Sequence, residues 1–248
     1  MANPLHQFEI TPIVPLHIGG LDLSFTNSSL WMVASVLVAI AFMSLAGRKN
    51  ALIPGRLQAM AEISYEFIAN MVRENIGSHG RQYFPLIFTV FMMVFLGNAL
   101  GMIPYSFTFT SHIVVTAALA LMIFLMVCVL GLVRHGLHFF SIFLPPGVPL
   151  LMAPLIIAIE VISFLIRPVT LSVRLFANMM AGHILMKVIA GFAVAFMSMG
   201  AAGLALGILP TLFNTVLIGF ELMIAFLQAF VFTILCCIYL KDTVELAH

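Results

Sequence analysis

Charged and amide side chains lie within a long and otherwise apolar stretch of this sequence, between residues 148 and 240. A charge near the centre of a lipid bilayer costs at least about 2.5–3.5 kcal/mol, so such residues face the protein interior or a water-filled cavity. They are therefore the first candidates for function. The set comprises Glu160, Arg167, Arg174, Asn178, His183, Lys187, Asn214, Glu221 and Gln228.

The spacing of these residues predicts two polar stripes on two helices. Within each stripe the residues recur every seven positions, which turns only about 20° per step around an α-helix. The first stripe consists of Glu160, Arg167 and Arg174 and continues at Asn178. The second stripe consists of Asn214, Glu221 and Gln228. His183, nine residues beyond Arg174, is predicted on the opposite face of its helix.

Hydrogen bonding between helices is an alternative interpretation of the amides, because membrane helices use amide and imidazole groups to bond across their interfaces. This alternative stays open for Asn214 and Gln228. It explains Glu160, Arg174 and Glu221 less well, since ionisable groups cost more in lipid than amides do. Two further bases, Arg167 and Lys187, could instead extend along their own stems toward a membrane surface.

The chemistry that these residue types indicate is proton transfer rather than bond formation. Glutamate and histidine can take up and release protons when burial or neighbours bring their pKa values toward neutrality. Arginine cannot release its proton in a protein. Arg174 with Glu160 and Glu221 on either side would thus form a proton path that a permanent cation interrupts.

The composition places these residues in a helical membrane protein. Of the 248 residues, 63% are hydrophobic and 8% are charged, against about 45–50% and 25% in soluble domains. This excludes an ordinary soluble enzyme, a nucleic-acid-binding protein and a disordered protein. The three cysteines, Cys128, Cys236 and Cys237, lie inside apolar runs, so we expect buried thiols rather than disulfides or zinc. We expect no cofactor.

Five membrane-crossing helices are predicted in an all-α fold with a single membrane domain. The predicted ranges are 29–46, 84–103, 113–133, about 148–197 and about 205–240. Residues 1–28 contain neither lysine nor arginine; we expect an external segment and no cleaved signal peptide. Breaks are predicted at Pro104-Tyr105, at Pro145-Pro146-Gly147 and around 198–207.

Residues 55–80 have a different pattern. Apolar residues such as Met60, Ile63 and Phe67 share one helix face, while charged residues such as Glu62 and Arg73 lie elsewhere. The pattern favours an amphipathic helix in the membrane interface, and a solvated linker helix is the alternative.

The last two helices are too long for a perpendicular crossing. Their apolar runs would extend roughly 65 and 50 Å as continuous helices, whereas the hydrocarbon layer is about 30 Å thick. They must therefore tilt steeply, break or re-enter the membrane. Pro168 is the expected position of a bend in the first.

The distribution of basic residues predicts the orientation. All bases outside the long apolar stretch fall on one side of the predicted spans; they are Arg48, Lys49, Arg56, Arg73, Arg81, Arg134 and Lys241. Because cytoplasmic loops carry the excess of lysine and arginine, the N-terminus is expected outside and the C-terminus in the cytoplasm.

Three sequence motifs resemble a known family. Residues 172–183 read SVRLFANMMAGH and closely resemble the signature of subunit a of F-type ATP synthases. Residues 228–232 read QAFVF and look like that family's second signature, and residues 97–104 read GNALGMIP and are similar to a less specific motif. The resemblance covers essentially the whole chain.

The resemblance implies a non-catalytic stator with two half-channels that lead to a carboxylate on a rotating ring. Arg174 matches the essential arginine between the half-channels, and Gln228 the glutamine near it. His183 and Glu221 match a pair in the outer half-channel, and Glu160 an acid of the inner one. Many bacterial members exchange the acid and the histidine between these two positions, so we predict that His183 and Glu221 are in contact.

The implied partners are a ring of c subunits, the peripheral-stalk b subunits, the rest of the ATP synthase and membrane lipid, with no nucleic acid. The implied location is the bacterial inner (plasma) membrane, with a mitochondrial inner membrane as the alternative. Asn98 lies near a position where some members carry an acid, which leaves an additional outer carboxylate open. The coupling ion, proton or sodium, also stays open.

Three other functions are alternatives for a chain of this composition. A self-contained channel or secondary transporter would show inverted repeats or paired broken helices, and the sequence has neither. An intramembrane metalloenzyme would need a metal motif, but there is no His-Glu-x-x-His, and His135 and His138 lack a third ligand. A purely structural scaffold would tolerate replacement of Arg174.

Overall fold

The computed structural model describes residues 8–15, 17–18, 21–22, 24–48, 53–103, 106–144 and 152–244. Several sequence predictions lie outside these residues: the contribution of Lys49 to the orientation, the break at Pro104-Tyr105 and the loop at Pro145-Pro146-Gly147. The predicted start of the fourth span at about residue 148 also lies outside them.

Six helices make up nearly all of the described chain. They are α1 (Asn27–Ala46), α2 (Arg56–Ile76), α3 (Phe84–Gly101), α4 (Ile113–His135), α5 (Ala153–Met197) and α6 (Ala201–Val244). Short 3-10 helices occupy Gly77–Gln82, Phe109–Ser111 and Gly136–Phe143. Within the described residues five helices, all except α2, are long and apolar enough to cross a membrane. The predicted class, an all-α membrane protein with five spans and two long final helices, is confirmed.

The N-terminal segment contains four very short strands that the sequence patterns did not predict. Strand β1 (Pro12–Val14) pairs antiparallel with β4 (Phe25–Thr26), and β2 (His17–Ile18) pairs with β3 (Leu21–Asp22). The only sequence signal is Gly19-Gly20, a dipeptide typical of two-residue hairpin loops. The ladders are too short to change the fold class.

Both final helices are continuous. Helix α5 has 45 residues and contains Pro168, and helix α6 has 44 residues and contains Pro210. Each would extend roughly 65 Å, about twice the hydrocarbon thickness. The alternative that either helix breaks within the membrane is therefore wrong. Steep tilt, which would also accommodate helices of this length, stays a prediction.

The turn between α5 and α6 is shorter than predicted. It occupies 198–200 rather than 198–207, and α6 begins at Ala201 instead of about residue 205. Gly200 has φ +87°, a left-handed conformation that glycine adopts without steric cost and that commonly ends a helix. A single glycine thus suffices to end the helix.

The chain divides into two compact units. Unit 1 comprises Met1–Ala41, Met92–His112 and Leu175–Ala229, and unit 2 comprises Phe42–Phe91, Ile113–Arg174 and Phe230–His248. In unit 1, Asn98, Leu175 and Met179 are completely buried. In unit 2, Ile68 and Phe232 are completely buried.

Helix α2 buries only part of its predicted apolar face. Ile68 and Met71 are buried, and Phe67 packs against the rings of Phe91 and Phe230, with centroids 6.0 and 5.8 Å apart. Near the start of the helix, Met60 and Ile63 are 60% and 67% exposed. The exposed half leaves apolar surface for lipid or a partner, and an interfacial position stays a prediction.

The cysteines occupy helix interiors as free thiols. Cys236 and Cys237 are buried on α6, as predicted, and Cys128 is half-buried on α4.

We predict that Gly131→Ala destabilises unit 2. A Cβ at Gly131 would lie 2.5 Å from Cδ2 of Phe139, a buried ring that packs near Phe164. Displacing this ring should cost about 1–3 kcal/mol, visible as a lower melting temperature of the purified protein in detergent. The control is Gly191→Ala, because a Cβ there has no neighbour within 4 Å. Equal melting temperatures for the two variants would contradict the packing described.

Candidate functional site

The side chains of His183 and Glu221 meet inside unit 1. Nδ1 of His183 on α5 lies 2.7 Å from Oε1 of Glu221 on α6. The residues are 7% and 3% exposed, respectively. The contact predicted between these two residues is confirmed. Two groups that can both titrate are thus coupled within one buried contact.

The imidazole of His183 is fixed by acceptors at both ring nitrogens. Nδ1 also lies 2.9 Å from the carbonyl oxygen of Met179, one turn earlier on α5. Nε2 lies 2.9 Å from Oγ1 of Thr108 and 3.1 Å from the carbonyl oxygen of Gly101. Because Thr108 donates its own proton to that carbonyl, at 2.9 Å, its oxygen is available to accept from His183. Each ring nitrogen can therefore donate a proton.

Sequence reasoning missed Thr108. This residue is buried, at 4% exposure, and lies in the polar segment that precedes Ile113. Nothing in its spacing relates it to His183, which is 75 residues away. Only the packing of unit 1 brings the two together.

Gly182 permits the close approach of α6 at this point. A Cβ at Gly182 would lie 2.7 Å from Oε1 and 2.8 Å from Cδ of Glu221. Any larger residue must displace the carboxylate from His183. The glycine of the first motif thus has a steric role beside the pair.

The amides of the two stripes behave differently. Nδ2 of Asn178 donates to Oε1 of Gln228 at 3.0 Å, which is the interhelical hydrogen bond considered as an alternative for Gln228. Gln228 is buried, whereas Asn178 is exposed. Asn214 is half-buried, and its Oδ1 has no hydrogen-bond partner among the described residues.

Asn98, which belongs to neither stripe, is completely buried, and neither of its amide atoms has a partner in the described part of the chain.

The cost of a charge in lipid had suggested that Arg174 faces the protein interior or a water-filled cavity. In the structure it does not face the interior of the chain. Its side chain is exposed on α5. No carboxylate of the described residues lies within ion-pairing distance of its guanidinium. In the chain alone this side chain is uncovered, so the other expected setting, a water-filled cavity, stays a prediction.

A second charged cluster lies in unit 2, around Arg167. Nη1 lies 3.0 Å from Oδ2 of Asp242, and Nη2 lies 3.9 Å from Oε1 of Glu160. The guanidinium also lies 5.5 and 5.1 Å from the ring centroids of Phe164 and Tyr239. Glu160 and Arg167 therefore belong together, as their shared stripe predicted. Asp242 was missed because it follows the apolar stretch, at the end of α6.

A cavity of about 740 Å³ opens beside His183 in unit 1. Its wall includes His183 and Lys187 of α5, Asn214 of α6 and Thr108. Residues of the N-terminal segment complete the wall; they are Phe8, Glu9 and Thr11. These charged and polar groups stand among apolar side chains in the wall, and a cavity of this size with several polar partners has room for water beside His183.

One titratable group outside the spans lies next to this wall. The ring of His112 stacks on Phe107, which lines the cavity, with centroids 5.1 Å apart and an interplanar angle of 16°. Burial lowers the pKa of His112 below its ordinary value. The imidazole is therefore neutral at neutral pH and adds no positive charge beside the cavity.

Comparisons with known proteins identify the family of the chain. Residues 29–241 match the family model described as ATP synthase A chain. The chain is 53% identical over 247 residues to "ATP synthase subunit a" of Parvibaculum lavamentivorans, with 100% of this chain and 95% of that protein covered. It is 55% identical over 246 residues to the protein of the same name from Rhodospirillum rubrum, with 99% and 100% covered. It is 52% identical over 247 residues to the one from Mesorhizobium japonicum, with 100% and 98% covered. With its five apolar helices and the motifs around Arg174 and Gln228, the chain therefore belongs to the ATP synthase A chain family.

Proposed function

We propose that this chain passes protons through two half-channels to and from the carboxylates of a rotating ring of c subunits, with Arg174 between the half-channels. As a member of its family, the chain is a non-catalytic, proton-conducting membrane subunit of an ATP synthase. It is a multi-pass membrane protein.

The buried His183–Glu221 contact at the end of a polar cavity carries this proposal. An ionisable pair is retained inside a membrane protein at considerable cost, and such pairs mark ion and proton paths. A proton that enters the cavity reaches Nε2 of His183 or the hydroxyl of Thr108. The imidazole ring of His183 connects this side to the Glu221 carboxylate, which lies beside Nδ1. Asn214 supplies a further polar atom along the cavity wall. We assign this cavity to the outer half-channel.

The exposure of Arg174 supports a partner that carries acids. An unpaired guanidinium facing lipid would be costly, and the described part of the chain supplies no carboxylate for it. A partner carboxylate at the same depth would pair with it and stay ionised. When a protonated carboxylate of the c ring meets Arg174, it gives up its proton to a half-channel. Because arginine keeps its own proton, no proton passes directly from one half-channel to the other.

The cluster of Glu160, Arg167 and Asp242 is assigned to the inner half-channel. Its two carboxylates, which lie within ion-pairing distance of Arg167, can accept a proton that leaves the c ring. In this assignment Arg167 is a positioning residue.

We further infer the orientation and the remaining partners. The bases flanking the spans put the N-terminus outside and the C-terminus in the cytoplasm. The bacterial relatives favour the plasma membrane as the location. The exposed apolar half of α2 is available to interfacial lipid or to the b subunits of a peripheral stalk.

We predict that Arg174→Ala and Arg174→Lys both reduce gradient-driven ATP synthesis to background while the complex still assembles. Lysine can lose its proton when it is buried, so it does not preserve a permanent cation. Synthesis is measured in membrane vesicles, and assembly by co-purification of the ring. The control is Arg56→Ala, an exposed arginine at the start of α2. Near-normal synthesis in either Arg174 variant would contradict the assigned role.

We predict that His183→Ala and Glu221→Gln each slow proton uptake from the outer side, and that the double variant loses less than the sum. Groups that act as one unit show coupling of about 0.5–3 kcal/mol in a double-mutant cycle. As a control, Glu74→Gln on α2 should combine additively with His183→Ala. Additive losses for His183 and Glu221 would show that the two sites act independently.

A further inference from the structure

We propose that the N-terminal segment 8–14 is a functional wall of the outer half-channel, and that Glu9 is the carboxylate that collects protons at its mouth. This inference rests on the proposed outer half-channel and extends it to residues that precede the matched family region, which begins at residue 29. Neither the polar stripes nor the sequence motifs include this segment.

The segment borders the same cavity as His183. Phe8, Glu9 and Thr11 line the cavity of about 740 Å³ whose wall also includes Thr108 and His183. The ring of Phe8 lies 6.5 Å from the ring of His183, centroid to centroid. The segment thus extends from the exposed side chain of Glu9 to the neighbourhood of the buried pair.

Asn27 holds the segment in place at the start of α1. Its side-chain Nδ2 donates to the carbonyl oxygen of Glu9 at 3.0 Å, and its Oδ1 accepts from the backbone N–H of Thr11 at 3.3 Å. Its own backbone N–H donates to the carbonyl oxygen of Thr11 at 3.1 Å. The pairing of Pro12 with Thr26 continues this attachment. One side chain therefore brackets Ile10 with two hydrogen bonds and fixes the backbone directly after Glu9.

The charges of the cavity wall explain why a carboxylate matters here. Among the residues that line the cavity, Glu9 is the acid, and the groups that can carry positive charge are Lys187 and His183. The other lining residues from α1, α6 and the segment between α3 and α4 do not titrate near neutral pH. Because the Glu221 carboxylate faces His183 and balances any charge on its ring, the wall without Glu9 would carry the uncompensated charge of Lys187 and would repel hydronium ions. With it, the charge of Lys187 is offset, and local proton concentration at the mouth rises.

The proton balance of the step is simple. A hydronium ion at the outer surface gives one proton to the Glu9 carboxylate and becomes water. The protonated Glu9 passes that proton to water in the cavity and returns to its ionised form, and the proton continues to the His183–Glu221 pair. No other reactant is needed.

The test uses the whole ATP synthase in proteoliposomes whose lumen corresponds to the outer side. ATP synthesis is started by a fixed potassium diffusion potential, and the lumenal pH is varied. We expect Glu9→Gln to slow synthesis about tenfold at mildly alkaline lumenal pH, where proton supply is limiting, since charges at a cleft change on-rates by about 10–10³. At mildly acidic lumenal pH the rate should return to the wild-type value.

Three further variants keep the test decisive. Glu9→Asp retains a carboxylate and should behave like wild type. Asn27→Ala releases the segment without removing its charge and should reproduce the alkaline defect. Glu66→Gln, an exposed acid on α2, should change nothing.

Two outcomes would overturn the inference. Wild-type rates for Glu9→Gln at every lumenal pH would show that the carboxylate is not used. A defect of equal size at every lumenal pH would show a merely structural role. Glu221→Gln, measured in the same vesicles, separates these outcomes from failure of the proposed function, because only its normal synthesis would contradict the half-channel itself.

Discussion

The contact between the His183 imidazole and the Glu221 carboxylate determines how the two longest helices meet in unit 1. A buried charge without a partner is far more costly than a buried pair, so the two side chains hold α5 and α6 in one register. The surrounding residues serve this contact. Gly182 leaves room for the carboxylate, and the carbonyls of Gly101 and Met179 orient the ring. The cavity of unit 1 borders His183 directly, which is why the proposed proton path runs through it.

Much of the fold could be predicted because hydrophobic runs of membrane length leave little choice. The spans at α1, α3 and α4 start and end within a few residues of the predicted limits. Whether α5 and α6 are continuous or broken could not be predicted from length, since a tilted helix and a broken one have the same apolar content. Pro168 did not decide it either, because the loss of one hydrogen bond can be absorbed within a helix of 45 residues. The short N-terminal strands gave no periodic signal at two or three residues each.

The candidate site was predictable to a different degree. Spacing grouped Glu160 with Arg167, but it could not connect His183 to Glu221, and that contact followed from a family resemblance in which the two residue types exchange places. Thr108 and Asp242 were not predicted as site residues, because each lies outside the apolar runs that made the other polar residues conspicuous. The exposure of Arg174 was not predicted for another reason. Burial was inferred from the cost of charge in lipid, whereas the side chain lies exposed on α5.

The uninterrupted α5 and α6 also have a mechanical meaning. Two continuous rods resist bending along most of their length, since every turn is closed by backbone hydrogen bonds. Pro168 and Pro210 each remove one such bond. These prolines are therefore the positions at which each helix bends most easily, and both lie away from the buried ionisable pair in the sequence.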